Sequence, residues 1–90
     1  METKTTKQLE RYFKGSANHH RIAIILLLKK YPKLGLDHIA KQLKGNIKTI
    51  SEHTRRLFLA GLINKKYKGH NVEHSLSPYG KKFYVFIKSF

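Results

Sequence analysis

The sequence has no cysteine and no tryptophan, two prolines, and five acidic residues against nineteen lysines and arginines. The missing cysteines exclude disulfides, a thiolate nucleophile and any cysteine-based zinc site. So few carboxylates leave little with which to complete a histidine metal site or an acid–base pair. The longest apolar run, Ile22 to Leu28, is seven residues, whereas a membrane-spanning helix needs about 20. The opening stretch METKTTKQLERYF has no apolar core of the kind a signal peptide carries. A cytoplasmic protein without a membrane partner is therefore expected. No internal repeat, low-complexity tract or linker is visible.

What is present is a short chain with a core and a large charge. Ninety residues suit one domain, and 40% hydrophobic residues are enough to fill its interior. The formal net charge is +14 with histidine neutral. A folded domain this basic repels itself and is stabilised by a polyanion. Nucleic acid is the commonest such partner and a membrane surface the next. The plainer reading is a solubility effect of abundant lysine.

Periodicity divides the chain into five helical segments and a hairpin. Leu9, Tyr12 and Phe13 form one stripe of a helix expected over Thr3 to Lys14, closed by Gly15-Ser16. Asn18 is a suitable cap for a second helix over His19 to Lys30. That helix is apolar on every face, which predicts a central position with neighbours all round, and Pro32 stops it. Leu36, Ile39, Ala40 and Leu43 describe a third helix. Asn46 caps a fourth, over about residues 46–58, whose inner face reads as Ile47, Ile50, Leu57 and Phe58. Gly61 closes it, and the period then changes from helical to alternating. Leu62 to Lys68 and the Val72, His74, Leu76 alternation predict a β-hairpin turning at Gly69-His70-Asn71, with Pro78-Tyr79-Gly80 closing the sheet. Lys81 to Phe90 reads as a last helix with Phe83, Ile87 and Phe90 on one side. The fold class is mainly α with a small β-hairpin, in the order α-α-α-α-β-β-α. It reads as one domain over residues 1–90, with a core at 18–80 and flanking helices at 3–14 and 81–90.

Two short helices joined by a tight turn pass a specific test. A helix-turn-helix needs a small residue on the first helix and an aliphatic one ten positions later on the second, and Ala40 and Ile50 supply them. Polar residues cover the other side of the second helix, as a recognition helix requires. Five stretches then occur in order: Arg21-Ile22-Ala23-Ile24-Ile25, Ile39-Ala40, Thr49-Ile50-Ser51-Glu52-His53, Ala60-Gly61-Leu62-Ile63 and Leu76-Ser77-Pro78-Tyr79-Gly80. Together they resemble the winged-helix domain of ArsR-type transcription regulators. The resemblance implies a winged helix-turn-helix, duplex DNA as partner, and outer helices that pair in a homodimer. Three features depart from the family pattern. Thr54 stands where leucine is usual, the turn Lys44-Gly45-Asn46 carries its glycine one place late, and the metal-sensing cysteines of many members are absent. DNA binding survives these departures as an implication, and metal sensing does not.

The candidate site follows from these elements. Lys48, Thr49, Ser51, Glu52, Arg55 and Arg56 are the expected DNA-facing residues of the recognition helix. Lys65, Lys66, Lys68, His70 and Asn71 are those of the wing, where a cationic edge can reach the phosphate backbone; lysines that merely keep an edge strand soluble are the alternative. Leu9, Tyr12, Phe13, Phe83, Tyr84, Phe86, Ile87 and Phe90 are left over for a dimer interface. Six histidines raise the question of metal. His19 and His20, being adjacent, are expected to point apart, His70 and His74 are separated by a turn, and no carboxylate stands near a histidine pair. No metal, cofactor or catalytic set is expected. The reading is a sequence-specific duplex DNA-binding regulator, a homodimeric repressor. The alternatives are a winged-helix module in an RNA or protein complex, or a small basic endoribonuclease toxin built on Glu52, His53 and Arg55.

Overall fold

The computed structural model describes residues 4–90, and a reciprocal cap starts its first helix. Thr5 Oγ1 accepts the Gln8 amide at 3.2 Å while the Thr5 amide donates to Gln8 Oε1 at 2.8 Å. That capping box satisfies two amides that the helix cannot, so α1 runs Thr6–Ser16. Thr3, the expected first residue, lies outside the described residues, and the helix continues past Lys14. Helix α2, His19–Lys30, is capped by Asn18, whose side-chain oxygen accepts the His20 and Arg21 amides at 2.9 and 3.3 Å. It packs against α1, α4, α5 and the hairpin. Ile24, Ile25 and Leu28 are enclosed, but Leu26 is 37% exposed. The expectation of neighbours on every side is thus too strong: one flank of α2 faces solvent.

Helices α3, Leu36–Gln42, and α4, Ile47–Leu59, form the helix-turn-helix. In the turn, the Gly45 amide donates to the Ala40 carbonyl at 2.9 Å. Lys44 takes the left-handed position, at φ 52°, which costs a side-chain-bearing residue about 1–2 kcal/mol. The late glycine has a different task. A Cβ at Gly45 would stand 3.0 Å from the Ile50 side chain, so its absence lets α4 close on α3. The buried side of α4 is Ile50, Thr54 and Leu57, at i, i+4 and i+7. Ile47 and Phe58, expected on that side, are 47% and 44% exposed instead. Phe58 lies one residue past Leu57, beyond the edge of the buried stripe, and Ile47 is the first residue of the helix. Thr54 is fully buried, and its hydroxyl donates to the Ser51 carbonyl at 2.8 Å. A polar residue in leucine's place is therefore satisfied within its own helix.

Strands β1, Ile63–Lys68, and β2, Asn71–Leu76, pair antiparallel from Ile63–Leu76 to Lys68–Asn71. The turn is Gly69-His70, with Asn71 already in β2. Helix α5, Pro78–Lys88, begins three residues before the expected Lys81. Ser77 is its cap and proline suits the first helical position. Ser77 Oγ donates to the Gly61 carbonyl at 2.6 Å and accepts the Gly80 amide at 3.0 Å. A Cβ on Gly80 would collide with the Leu62 carbonyl, so only glycine lets α5 seat on the start of the hairpin. The core joins Ile24, Ile25 and Leu28 of α2 to Ile39, Ile50, Leu57, Leu62 and Ile63. Tyr12 of α1 and Phe83, Tyr84 and Ile87 of α5 pack onto that same core. Among the described residues, no helix is long and apolar enough to cross a membrane.

Helix α1 crosses the end of α4 at Gly15, where an added Cβ would overlap the Ala60 methyl. Gly15→Ala should lower unfolding stability by about 1–3 kcal/mol, the usual range for overpacking. Urea denaturation measures it, and adding Ala60→Gly should recover part of the loss. An undiminished midpoint for Gly15→Ala would show that α1 does not seat against α4.

Candidate nucleic-acid interface

Because Ile50, Thr54 and Leu57 turn inward, helical geometry turns Lys48, Thr49, Ser51, Glu52, Arg55 and Arg56 outward, and all six are exposed. Asn46 Oδ1 holds the start of the helix by accepting the Lys48 and Thr49 amides at 2.8 and 3.3 Å. Glu52 is not free to read a base. Arg55 grips both its oxygens, at 3.0 and 2.7 Å, and Arg56 Nε adds a third bond at 3.1 Å. The Arg55 hydrogen bond, followed by the charges of Arg55 and Arg56, pulls the Glu52 carboxyl down to about 2. One carboxylate thus spreads two guanidinium groups along the outer face.

His53 leaves that face. Its ring stacks on His20 at a centroid distance of 5.1 Å, and its Nδ1 lies 3.4 Å from Arg21 Nη1. Burial first, then the charges of Arg21, His20 and Arg56, lower its pKa, so it is the neutral acceptor for Arg21. Glu52 bound by arginines and His53 turned toward α2 do not converge on a scissile phosphate. His19 and His20 do not point apart: their rings lie 4.0 Å from each other, since both stand on the first turn of α2 with room to swing together. Among the described residues no group of three or more His, Asp or Glu could hold a metal.

The wing lysines are divided by strand alternation. Lys65 pairs with His74 on the face toward the helices, and its Nζ lies 5.2 Å from the centroid of the Phe58 ring. Lys66 and Lys68 point the other way, opposite Glu73 and Asn71, and Lys68 Nζ is 3.7 Å from Glu73. The expected single cationic edge is therefore two faces, one of them partly neutralised. His70 and Asn71 are exposed at the tip. A groove of about 570 Å³ runs between the start of α3, α4 and the wing, with His38, Ser51, Lys65, Tyr67 and His70 among its walls. Two of these were not anticipated. His38 comes from α3 and had no signal, but Tyr67, 73% exposed on a lysine-rich strand, had one.

The outer helices divide their apolar residues. Tyr12, Phe83, Tyr84 and Ile87 are half-buried on the chain's own core, while Leu9, Phe13, Phe86 and Phe90 are exposed. Phe13 meets the edge of Phe83 at 5.3 Å, and Phe86 meets Phe90 at 5.1 Å. The two helices thus share one aromatic surface.

Three helices, a two-stranded wing and an outward polar face on the second helix of the turn define a winged helix-turn-helix domain. Solved structures of the same architecture include HlyU from Vibrio cholerae, with 22% identity over 96% of this chain and 94% of that one and a TM-score of 0.83. The homodimeric winged helix-turn-helix DNA-binding domain Mb0332 from Mycobacterium bovis, a possible ArsR-family transcriptional regulator, has 20% identity over 99% and 88% of the chains, with a TM-score of 0.83. NolR from Sinorhizobium fredii has 16% identity over 99% and 95%, with a TM-score of 0.82. No protein-family model and no curated protein matches the sequence. The fold is the one that the ArsR-type motifs imply.

The root of the wing depends on His74. Its amide and its Nδ1 both reach the Leu34 carbonyl, at 2.8 and 2.9 Å. A carbonyl only accepts, so Nδ1 carries a proton and donates it to Leu34. Burial lowers the His74 pKa from 6.5; the Leu34 bond opposes the shift and Lys65 adds to it. The unfolded chain therefore takes up this proton at a higher pH than the folded one. Stability is fully present above about pH 6.5 and is lost as pH falls from there toward the lowered folded value; His53 acts with the same sign. Urea midpoints should fall between about pH 7 and pH 5. His74→Asn, which keeps a donor near Nδ1, should be less stable at neutral pH and less sensitive to acid. An unchanged acid sensitivity in that variant would remove His74 as its source.

Proposed function

We propose that this protein is a homodimeric regulator that binds specific duplex DNA sequences and acts as a repressor. The observation that carries the reading is the arrangement of α4 and the wing. Their apolar sides are locked into one core, α4 keeps Lys48, Thr49, Ser51, Arg55 and Arg56 exposed, and Ser51 shares one groove with Lys65, His70 and Asn71 of the wing. Helix α4 enters the major groove in this reading. Lys48, Thr49, Ser51 and Arg55 face base edges, Arg56 lies toward the backbone, and Lys66, His70 and Asn71 contact the flanking phosphates. The homodimeric state of the Mb0332 domain supports the same reading.

Binding should be strongly salt-dependent. If each protomer neutralises about 4–6 phosphates, a dimer gives log K against log salt a slope of about −7 to −11. Lys66→Ala should weaken specific and random duplexes alike, whereas Thr49→Ala or Ser51→Ala should cost about 1–3 kcal/mol chiefly on a site selected from a random pool. Lys66 is a cleaner probe than Lys65, whose removal also uncovers Phe58. No binding at about 50 mM salt, or equal losses on both DNAs for the α4 variants, would overturn the assignment.

The second copy is placed on the α1–α5 surface. Burying Leu9, Phe13, Phe86 and Phe90 at about 1.5–3 kcal/mol each offsets a typical association cost. Repulsion between two +14 chains opposes it, so added salt should strengthen the dimer. Phe86→Ser/Phe90→Ser alters only exposed side chains and should sediment as a monomer where the parent chain dimerises, at about 100 μM. Equal dimerisation of both would move the interface elsewhere.

A further inference from the structure

Away from the wing, a second cleft of about 400 Å³ opens where α1 and the end of α2's first turn meet the C-terminal half of α4. Five of its eight lining residues are cationic: Arg11, Lys14, Arg21, Arg55 and Arg56. Gly15, Leu59 and Ala60 complete the lining. The nearest carboxylates are already engaged, Glu10 with Lys14 at 3.0 Å and Glu52 with both Arg55 and Arg56. Five cations against two carboxylates leave three positive charges in excess. Arg11 and Arg21 have no carboxylate partner among the described residues.

Arg21 is the informative member. Its Nε is buried and has no hydrogen-bond partner. Its Nη1 finds only the His53 ring, at 3.4 Å. A buried donor left unmade is unfavourable, and more so on a charged group. Burial, and then the charge of Arg56, also disfavour the Arg21 cation. The cleft thus crowds five cations with two carboxylates, and Arg11 and Arg21 have no carboxylate partner among the described residues. Arg11, Arg55 and Arg56 are exposed, and Arg21 is the partly buried member of the cluster. Planar guanidinium groups with free N–H edges match the oxygens of a phosphate two at a time.

We propose that the α1–α2–α4 cleft is a binding site for a phosphate-type anion. Two sources share that chemistry: a free phosphorylated small molecule, or a backbone phosphate of bound DNA. Only the second rests on the DNA-binding reading. Either would link α1, which carries the aromatic surface, to the recognition helix through one ligand.

The test uses the full chain, with pyrophosphate as probe and Arg11→Gln/Lys14→Gln as the variant. Both residues are exposed on α1, so the fold should survive. Lys30→Gln/Lys81→Gln removes the same charge from exposed positions outside the cleft and is the control. Calorimetric titration of the parent should show one saturable pyrophosphate site per chain, weakened about tenfold or more in the variant and less than about twofold in the control. That result assigns the site to a free anion. If pyrophosphate does not bind, but the variant alone loses duplex affinity and flattens the log K–log salt slope by about 0.9 per lost contact, the site holds a DNA phosphate. A variant that matches the control in both assays overturns the proposal. If no version binds duplex, the regulator reading fails, and the pyrophosphate titration still decides the cleft.

Discussion

At the foot of the wing, one serine joins three elements. Ser77 Oγ bonds the carbonyl that ends α4 and the amide that begins α5, while its own amide bonds Leu62 at the start of β1. Gly80 lies so close to the Leu62 carbonyl that no side chain fits between them. This junction sets the angle of the hairpin to α4 and the direction in which α5 departs. The groove between α4 and the wing, and the surface where α5 meets α1, are both consequences of it. His74 makes the second tie, from β2 back to the loop before α3 through Leu34. With both ends of the hairpin held, the wing keeps its relation to α4 even though its outer half is exposed.

The charge distribution has its own economy. Five acidic residues are too few to neutralise nineteen basic ones, and two of them have clear structural tasks. Glu52 spreads Arg55 and Arg56, and Glu73 holds Lys68. The result is a surface whose cations are pre-positioned but not cancelled, a state that an incoming polyanion relieves. Self-repulsion is the cost, and the small core of α2, α3, α4 and β1 residues must offset it.

The outer face of α4 and the α1–α5 aromatic surface are built on helices that touch one another. Helix α4 presents hydroxyls and cations along its first turns and arginines toward α1 at its end. Helix α1 presents Arg11 and Lys14 to that end and Leu9 and Phe13 to α5. Changes in how α1 sits are therefore felt at α4 through the Gly15–Ala60 crossing, where there is no slack.

Much of this was legible in the sequence because it rests on local rules. The asparagine caps at 18 and 46, the period of Leu36 to Leu43, the change to alternation after Gly61 and the small–aliphatic pair Ala40 and Ile50 all concern residues no more than about ten positions apart. They determined the element order, the helix-turn-helix and the outward face of α4. Other features needed distant parts of the chain to be brought together. Exposure of Ile47 and Phe58, the division of the wing lysines between two faces, and the split of the aromatic residues between core and surface depend on which neighbour lies opposite. So do the stacking of His53 on His20 and the crowding of Arg11, Arg21 and Arg56 in one cleft, across separations of tens of residues. Periodicity assigns a side chain to a face of its own element, but only the packing of elements decides what that face meets.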